Sequence, residues 1–436
     1  MNVERLPLPA RWVRPLGYPS VGTLTDRQQD GLRAFWLDGL FGSLAGGFSD
    51  SYYTLYMLSL QASNAQIGLV NTLTQFVGAT LAIPGASFAD RTGRYKWFSL
   101  TTGLFSRMMW LVMLAAPWLL ADQAAVWLVL VAWVALAGAT TLGISAWTAL
   151  TADLVPPRLR GGYFASRNII MQLMRLVSIP LAGQIVNLIG EPSGYQLNLG
   201  MAFAVGMVSL YFFGHLPEHP APQKDDKIST RAVLRRVPQM PTFMRFVVSH
   251  GILQLGVMIG APFIPVYMAE KAHFSIGAIG MVTTVNVFTG MVAMRIFGRV
   301  HDRLGITRTM RLAVLVPILP VLWLWVDHPW QGYLVNSFAA LVWAGYNLGA
   351  FNLLLASTPD EHRPRYIAVY TTIISLVAAI GPLLGGWLLD ATGFMPVFSL
   401  SCIVRALGLI LFFALVREPG GAEEETDTLE EEANPA

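Results

Sequence analysis

Two aspartates, Asp38 and Asp50, stand in the first apolar stretch of the chain among glycines, serines and tyrosines. At helical spacing Gly39, Ser43, Gly46, Asp50 and Tyr53 form one small polar face, and Asp38, Gly42, Ala45, Ser49 and Tyr52 form the face beside it. An ionisable group at bilayer depth costs at least ~2.5–3.5 kcal/mol, so each is a functional candidate. A carboxylate there can take up and release a proton, as a proton-coupled carrier requires. Asp50, in the outer half of the stretch, is read as the coupling group. For Asp38 that role and a structural ion pair stand as equal readings. Further on, Asn168, Gln172, Arg175 and Ser178 share one stripe; Arg175 either binds an anionic group of a solute or pairs with one of the aspartates. Arg107 and Arg405, also at mid-depth, are read as structural, and Arg295 reaches the interface by snorkelling.

The second half of the chain offers neutral polar groups. His250 and Gln254 lie one turn apart in a stretch that also holds Pro262 and Pro265, Asn286 follows, and Asn336, Trp343 and Asn347 make a stripe with Tyr346 beside it. Aromatics next to amides suit an organic solute that needs both contact area and hydrogen bonds. Each amide is equally suited to helix packing, and His250 fits a satisfied core histidine better than a proton relay. The solute-contact set is therefore Arg175, Gln172, His250, Gln254, Asn286, Trp343, Tyr346 and Asn347. No phosphate-binding Gly-x-x-x-x-Gly-Lys-Ser/Thr loop, metal-binding His/Glu motif or nucleophile elbow occurs. The expectation is no enzyme, no catalytic residue, no metal and no cofactor, with energy drawn from an ion gradient. The lone Cys402 excludes a disulfide within the chain.

The elements that must position these groups are membrane helices. Of 436 residues 54% are hydrophobic and only 13% charged, about half the charge of a typical soluble domain. Twelve stretches approach the ~20 apolar residues of a spanning helix: 33–58, 66–88, 95–119, 124–148, 164–189 and 196–214, then 243–268, 276–298, 309–326, 332–356, 366–389 and 394–416. Backbone groups in hydrocarbon must pair internally, so each is read as a helix and the protein as all-α. Arg91, Arg94, Lys96, Arg158, Arg160, Arg167, Lys224, Lys227, Arg231, Arg235, Arg236, Arg299, Arg303, Arg308, Arg363 and Arg365 fall in one set of alternate loops; the other set holds Lys271 alone. The bias puts both termini in the cytoplasm of a multi-pass inner-membrane protein. It makes anionic lipid headgroups, not nucleic acid, the partners of the basic loops. The organisation read is a basic arm (1–32), a six-helix bundle (33–214), a Pro- and charge-rich linker (215–242), a second bundle (243–416) and an acidic tail (417–436), working as a monomer.

The two halves repeat. With Ser63 laid on Ser275 and no gaps, Gln66–Gly78 lies over Ala278–Gly290, and Asp90-Arg91-Thr92-Gly93 lies over Asp302-Arg303-Leu304-Gly305. A second match sets Arg160-Gly161-Gly162-Tyr163 and Pro180-Leu181-Ala182-Gly183 beside Arg363-Pro364-Arg365-Tyr366 and Pro382-Leu383-Leu384-Gly385. Internal repeats mark transporter folds that rock two halves about a midplane site. Asp90-Arg91-Thr92-Gly93-Arg94, with its second copy, resembles the loop motif of the major facilitator superfamily, although Ala86 and Tyr95 depart from that motif. The resemblance implies two pseudo-symmetric six-helix bundles, with helices 1, 7 and 10 lining a cavity. It also implies a gate at Asp90, Arg91, Gly93, Arg94, Asp302, Arg303 and Gly305, made when the cytoplasmic side shuts. Gly93 and Gly305 are expected in tight turns of positive φ. The arginine of helix 4 and the Gly-Pro of helix 5 that mark drug antiporters of the family are missing. The reading is a proton-coupled secondary transporter of a small organic solute, exporting it. A sugar or nutrient importer, a lysolipid transporter and a non-transporting sensor or assembly factor are the alternatives.

Overall fold

The computed structural model describes residues 24–156, 159–217, 239–310, 315–358 and 363–415. The described residues are helical, without strands. The helices are α1 (Asp26–Ser49), α2 (Asn64–Thr92), α3 (Tyr95–Leu119), α4 (Asp122–Leu154), α5 (Arg160–Ile189) and α6 (Ser193–Gly214), then α7 (Pro241–Gly260), α8 (Ile276–Met310), α9 (Leu319–Leu322), α10 (Pro329–Ala356), α11 (Arg363–Thr392) and α12 (Phe394–Leu415). Ten of them, α2 to α8 and α10 to α12, are long and apolar enough to cross a membrane. The polar face of α1 lowers its hydropathy. The expected ninth span, 309–326, differs where it is described: Thr309 and Met310 complete α8, 311–314 lie outside the described residues, and 315–326 hold the short α9 with a 3-10 turn at Trp323–Trp325. Most of the linker (218–238), most of the basic arm and the acidic tail lie outside the described residues.

Packing repeats as the sequence does. In the first set α1 lies on α5 and α6, α2 on α4, and α3 on α4 and α6; in the second α7 lies on α11 and α12, α8 on α10, and α9 on α10 and α12. Each pair recurs with its numbers raised by six, the signature of two like bundles. The starts repeat too: Ser63 caps α2, its side chain accepting from the Gln66 N–H, and Ser275 accepts from the Ala278 N–H at the start of α8. Such caps satisfy N–H groups that have no partner within the helix.

The first helix of each set is broken near one end. After Asp50 the chain turns through Ser51 and Tyr52 before resuming at Tyr53–Ser59. After Gly260 it passes through a 3-10 turn (Ala261–Phe263), one helical turn (Ile264–Val266) and a π segment (Tyr267–Lys271). The register that lays Ser63 on Ser275 also lays Asp50 on Pro262. Proline removes a helix hydrogen bond, so the second break has an evident cause. In the first, Asp50 closes α1, its N–H donating to the Gly46 carbonyl.

The two motif copies fold differently. Gly93 ends α2 in the left-handed region (φ 60°), its N–H donating to the Ala89 carbonyl. The expected turn at Gly305 is absent: α8 runs on through it to Met310. A helix carries one glycine at a cost of about 1 kcal/mol, so a glycine alone does not oblige it to end. Arg91 and Arg94 are exposed. The side chains of Asp90, Asp302 and Arg303 lie outside what is described, although their backbones are helical.

The bundles meet where α2 lies on α11 and α5 on α8. The bonds between them gather toward the end that carries the short loops. Asp390, late in α11, accepts from the Asn64 N–H (3.2 Å), the Asn64 amide (2.9 Å) and the Ala65 N–H (2.9 Å) in the first turn of α2. Asn187, late in α5, accepts from the Gly277 N–H (3.1 Å) in the first turn of α8. Thr72 donates to the Ala379 carbonyl (2.7 Å). A carboxylate at a helix N-terminus is favoured by the dipole, by about 0.3–1 kcal/mol when exposed. Asp390→Ala should therefore shift the two bundles a few-fold toward separation at this end and leave the fold intact. Distances between spin labels at exposed Gln61 and Thr392 check this: the wider population grows in the variant, and an unchanged distribution removes the latch.

Candidate solute and proton site

A cavity of about 390 Å³ lies within the first bundle. Its wall comes from α1, α3, α4, α5 and α6, and its charged members are Asp38, Asp50, Arg107, Arg167 and Arg175. Glycines on α1 leave the space open: a Cβ on Gly39 would meet the Arg167 guanidinium at 2.7 Å, and one on Gly46 would meet the Asp50 carboxylate at 3.0 Å.

Asp38 is buried. The Ser209 hydroxyl donates to it at 2.7 Å, and Arg167 pairs with it at 3.5 Å. Arg107 donates to Ser209 (3.2 Å) and to the carbonyls of Gly206 (2.7 Å) and Gly103 (3.0 Å), so one carboxylate serves two guanidiniums, one directly and one through a hydroxyl. Arg167 was expected in a basic loop. It is buried in α5 instead, donating to the Phe35 carbonyl (3.2 Å) and lying 4.0 Å over the Phe35 ring, with Trp147 also within cation–π reach. A buried charge persists when paired and hydrogen-bonded, and α1 supplies both the acid and the ring. The signal was present in the sequence: Arg167, Met171 and Arg175 follow at intervals of four, one face of a helix. Ser209, Trp147 and Ser99 carried no such signal.

Asp50 differs. It pairs with Arg175 at 3.6 Å, and both side chains are nearly half exposed (49% and 44%). Ser49 donates to Asp50 at 2.9 Å. Of the two readings of Arg175, the pairing with a helix-1 aspartate is the one present here, on the cavity wall and open to exchange. Gln172 and Asn168 are exposed on the same helix, while Ser178 is fully buried and donates to the Met174 carbonyl.

Of the second-bundle candidates, His250, Gln254, Tyr346 and Trp343 gather into a separate cluster, while Asn286 and Asn347 lie apart from it. His250 is buried, with its Nδ1 2.5 Å from the Tyr346 hydroxyl and its Nε2 3.2 Å from the Gln254 amide nitrogen. Phe246, Tyr346 and Tyr370 surround its ring, and Trp343 stands edge-on to Tyr346. Asn286 donates to the carbonyl (3.3 Å) and side chain (3.2 Å) of Asn336, whose amide reaches the Val282 carbonyl, so these amides tie α8 to α10. Asn347 is exposed. Arg405 is buried in α12, donating to the carbonyls of Val316 and Val257.

Comparison with known proteins agrees with this geometry. The family model described as Major Facilitator Superfamily matches residues 36–259 and 246–435. Multidrug resistance protein MdtG of Serratia proteamaculans (strain 568) is 24% identical over 410 residues, 91% of this chain and 95% of that protein. MdtG of Dickeya zeae (strain Ech586) is 27% identical over 162 residues, 36% of this chain. A Na(+), Li(+), K(+)/H(+) antiporter of Planococcus maritimus is 28% identical over 158 residues, 35% of this chain. The matched stretches span 40% and 37% of the length of these last two relatives. The fold is that of a bacterial homologue of the iron transporter ferroportin, solved in an inward-facing state, at a TM-score of 0.67 and 13% identity, covering 92% of this chain and all of that one.

Removing one member of a buried ion pair costs about 3–5 kcal/mol, and removing both costs much less. Asp38→Asn should thus lower the thermal midpoint of the purified protein by several degrees, and adding Arg167→Met should restore at least half of the loss. Thermal unfolding in detergent checks this; equal midpoints for Asp38→Asn and the unaltered chain would remove the pair's structural role.

Proposed function

The chain belongs to the Major Facilitator Superfamily and is a membrane transporter, and we propose that it carries a small organic solute by alternating access, coupled to protons through Asp50. The observation that carries this is the half-exposed Asp50–Arg175 pair on the cavity wall, beside a break in α1. A broken membrane helix frees backbone and side chains to serve a solute or ion. Asp50 has three possible partners: Arg175, a proton or a solute donor. Only one is needed at a time, so occupancy by one releases another. Asp38, fixed by Ser209 and Arg167, lacks that freedom.

The excess of basic loops puts both termini in the cytoplasm of the inner membrane, and the Asn64–Asp390 end outside. The bonds gathered at that end then support an inward-facing conformation, shut outside. Gly93 ends α2 in the loop that includes Arg91 and Arg94, and with Asp90 this turn is the cytoplasmic gate, made in the opposite state. His250, Gln254, Trp343, Tyr346 and Asn347 are the second bundle's side of the path.

Export is supported by two relatives, a multidrug resistance protein and a cation/proton antiporter. Uptake is a second reading, favoured by one observation: three guanidiniums against two carboxylates line the cavity. A positive cavity holds an anion more firmly when Asp50 takes a proton, and the two then move together.

The test is solute-driven proton flux in proteoliposomes of the full chain, read with a trapped pH dye over a panel of organic cations, anions and neutral solutes. Asp50→Asn should reduce that flux by about tenfold or more, equivalent to ~1.4 kcal/mol of lost coupling, and leave exchange of labelled solute near its original rate. Flux unchanged in Asp50→Asn would move the coupling acid elsewhere, with Asp38 next to be tested.

A further inference from the structure

We infer that the cavity of the first bundle is a binding site for an amphipathic organic acid, whose carboxylate is held at Arg107 and whose far polar group reaches Ser99. The inference rests on the transport reading above, and it names the chemical class of solute which that reading leaves open.

The first ground is charge. Among the described residues lining the cavity, Arg167 pairs with Asp38 and Arg175 with Asp50, and Arg107 has no carboxylate within ion-pair distance. Its contacts are two backbone carbonyls and the Ser209 hydroxyl. A guanidinium carries five N–H donors in a planar fork. Three are used, which leaves one on each terminal nitrogen, and a carboxylate takes such a fork well. Asp38 is thus shared between Arg167 and, through Ser209, Arg107, and three guanidiniums against two carboxylates leave one positive charge in excess; such an excess at membrane depth is expensive, and an anion in the cavity would balance it.

The second ground is independent of charge. Ser99 is buried, lines the cavity, and its hydroxyl has no partner among the described residues. Its neighbours do not share this state. Thr102 donates to the Phe98 carbonyl, Ser106 to the Thr102 carbonyl and Thr140 to the Leu136 carbonyl, each within its own helix. An unmade hydrogen bond on a buried hydroxyl costs about 1–3 kcal/mol unless something in the cavity completes it.

The two groups set the ligand's length. Ser99 and Arg107 are separated by about 12 Å along α3. Helical side chains lean toward the N-terminus, and the bond from Arg107 to the Gly103 carbonyl follows that lean, shortening the gap. Ile144, Trp147, Leu210 and Phe213 give the wall its apolar contact area, and the hydroxyls of Thr102, Ser106 and Thr140 beside them are bonded within their own helices. A cavity of this size lies in the range for small-molecule sites. The fitting solute is a flat or compact apolar body with a carboxylate at one end and a hydroxyl or carbonyl at the other.

The consequence is a direction of coupling. Protonation of Asp50 leaves the cavity more positive, so proton and anion each raise the other's affinity. Bound together they travel together, and an inward proton gradient then drives uptake.

The test uses the purified full chain and 6-hydroxy-2-naphthoate, whose own fluorescence anisotropy reports binding without any gradient. Binding is thus read separately from coupling: Asp50→Asn can lose proton flux and still bind the probe. The naphthoate should bind at least about tenfold more tightly than 6-hydroxy-2-naphthamide, since the anion meets a charged donor. Arg107→Gln should erase that preference. Ser99→Val, which keeps every charge and so guards against a misfolded Arg107 variant, should weaken the acid by about fivefold through the lost hydroxyl. Equal binding of acid and amide would overturn the inference. So would full displacement of the probe by chloride alone, which would make this an inorganic anion site, or probe affinity unchanged in Ser99→Val.

Discussion

Where the two bundles touch, they touch backbone to backbone, and the rest of the molecule is arranged around that contact. A Cβ on Gly68 would collide with the Pro382 carbonyl, and one on Gly386 with the Asn64 carbonyl. Across the other seam, a Cβ on Gly183 would come within 3.2 Å of the Gly277 Cα. Lipid tails are as apolar as leucine, so helices in a bilayer gain little by burying apolar surface on one another; close packing of small residues and polar bonds hold them. At these seams the side chains are removed so that Asp390, Asn187 and Thr72 can reach main-chain groups of the facing bundle. The polar bonds across these seams gather toward one end, and two bundles held this way can tilt about them as rigid bodies.

The charges obey a different rule. Every ion pair that lines the cavity is made within the first bundle: Asp38 with Arg167 and Asp50 with Arg175. Each joins α1 to α5, which pack together in any case. Tilting the bundles therefore need not break a buried ion pair, which would cost several kcal/mol. The polar bonds that tilting does break are exposed or neutral, and water can replace them at small cost.

The sequence carried the fold because the bilayer leaves so few solutions. Apolar runs, alternate basic loops and the repeat from Ser63 to Ser275 were enough for helices, their order and the family. It failed where a span is irregular: the described residues of the ninth form a short helix, and nothing in its composition separates it from a continuous one. Gly93 and Gly305 occupy matched positions, yet only Gly93 turns the chain; the same motif ends one helix and passes through another, because a glycine permits a turn without imposing one. Of the charged groups, Asp38, Asp50 and Arg175 were legible from helical spacing alone. Arg167 was hidden by its nearness to Arg158 and Arg160, since a count of basic residues cannot tell a loop from the first two turns of a helix. Ser99 and Ser209 were not legible, because a serine in a membrane helix has the same appearance whether it bonds its own backbone, bridges two charges or faces an empty cavity.

The two bundles share a plan and divide the chemistry. The register that pairs Ser63 with Ser275 lays Asp38 on His250 and Asp50 on Pro262. In the first bundle these positions hold acids matched by arginines from α5. In the second they hold a histidine enclosed by Phe246, Tyr346 and Tyr370, and a proline that breaks the helix outright. The first bundle therefore carries paired acids on its cavity wall, and the second carries a single histidine enclosed in a packed aromatic face. A solute between them would meet fixed contact area on one side and exchangeable partners on the other. In the proposed cycle the exchanging charge is confined to one rigid body, and a change of partner at Asp50 alters the first bundle's affinity for its contents. The helix break beside Asp50 then connects that change to the seam, because Tyr52, two residues on, donates to the Ile179 carbonyl on α5 (2.6 Å) at the place where Gly280 of α8 leaves it room.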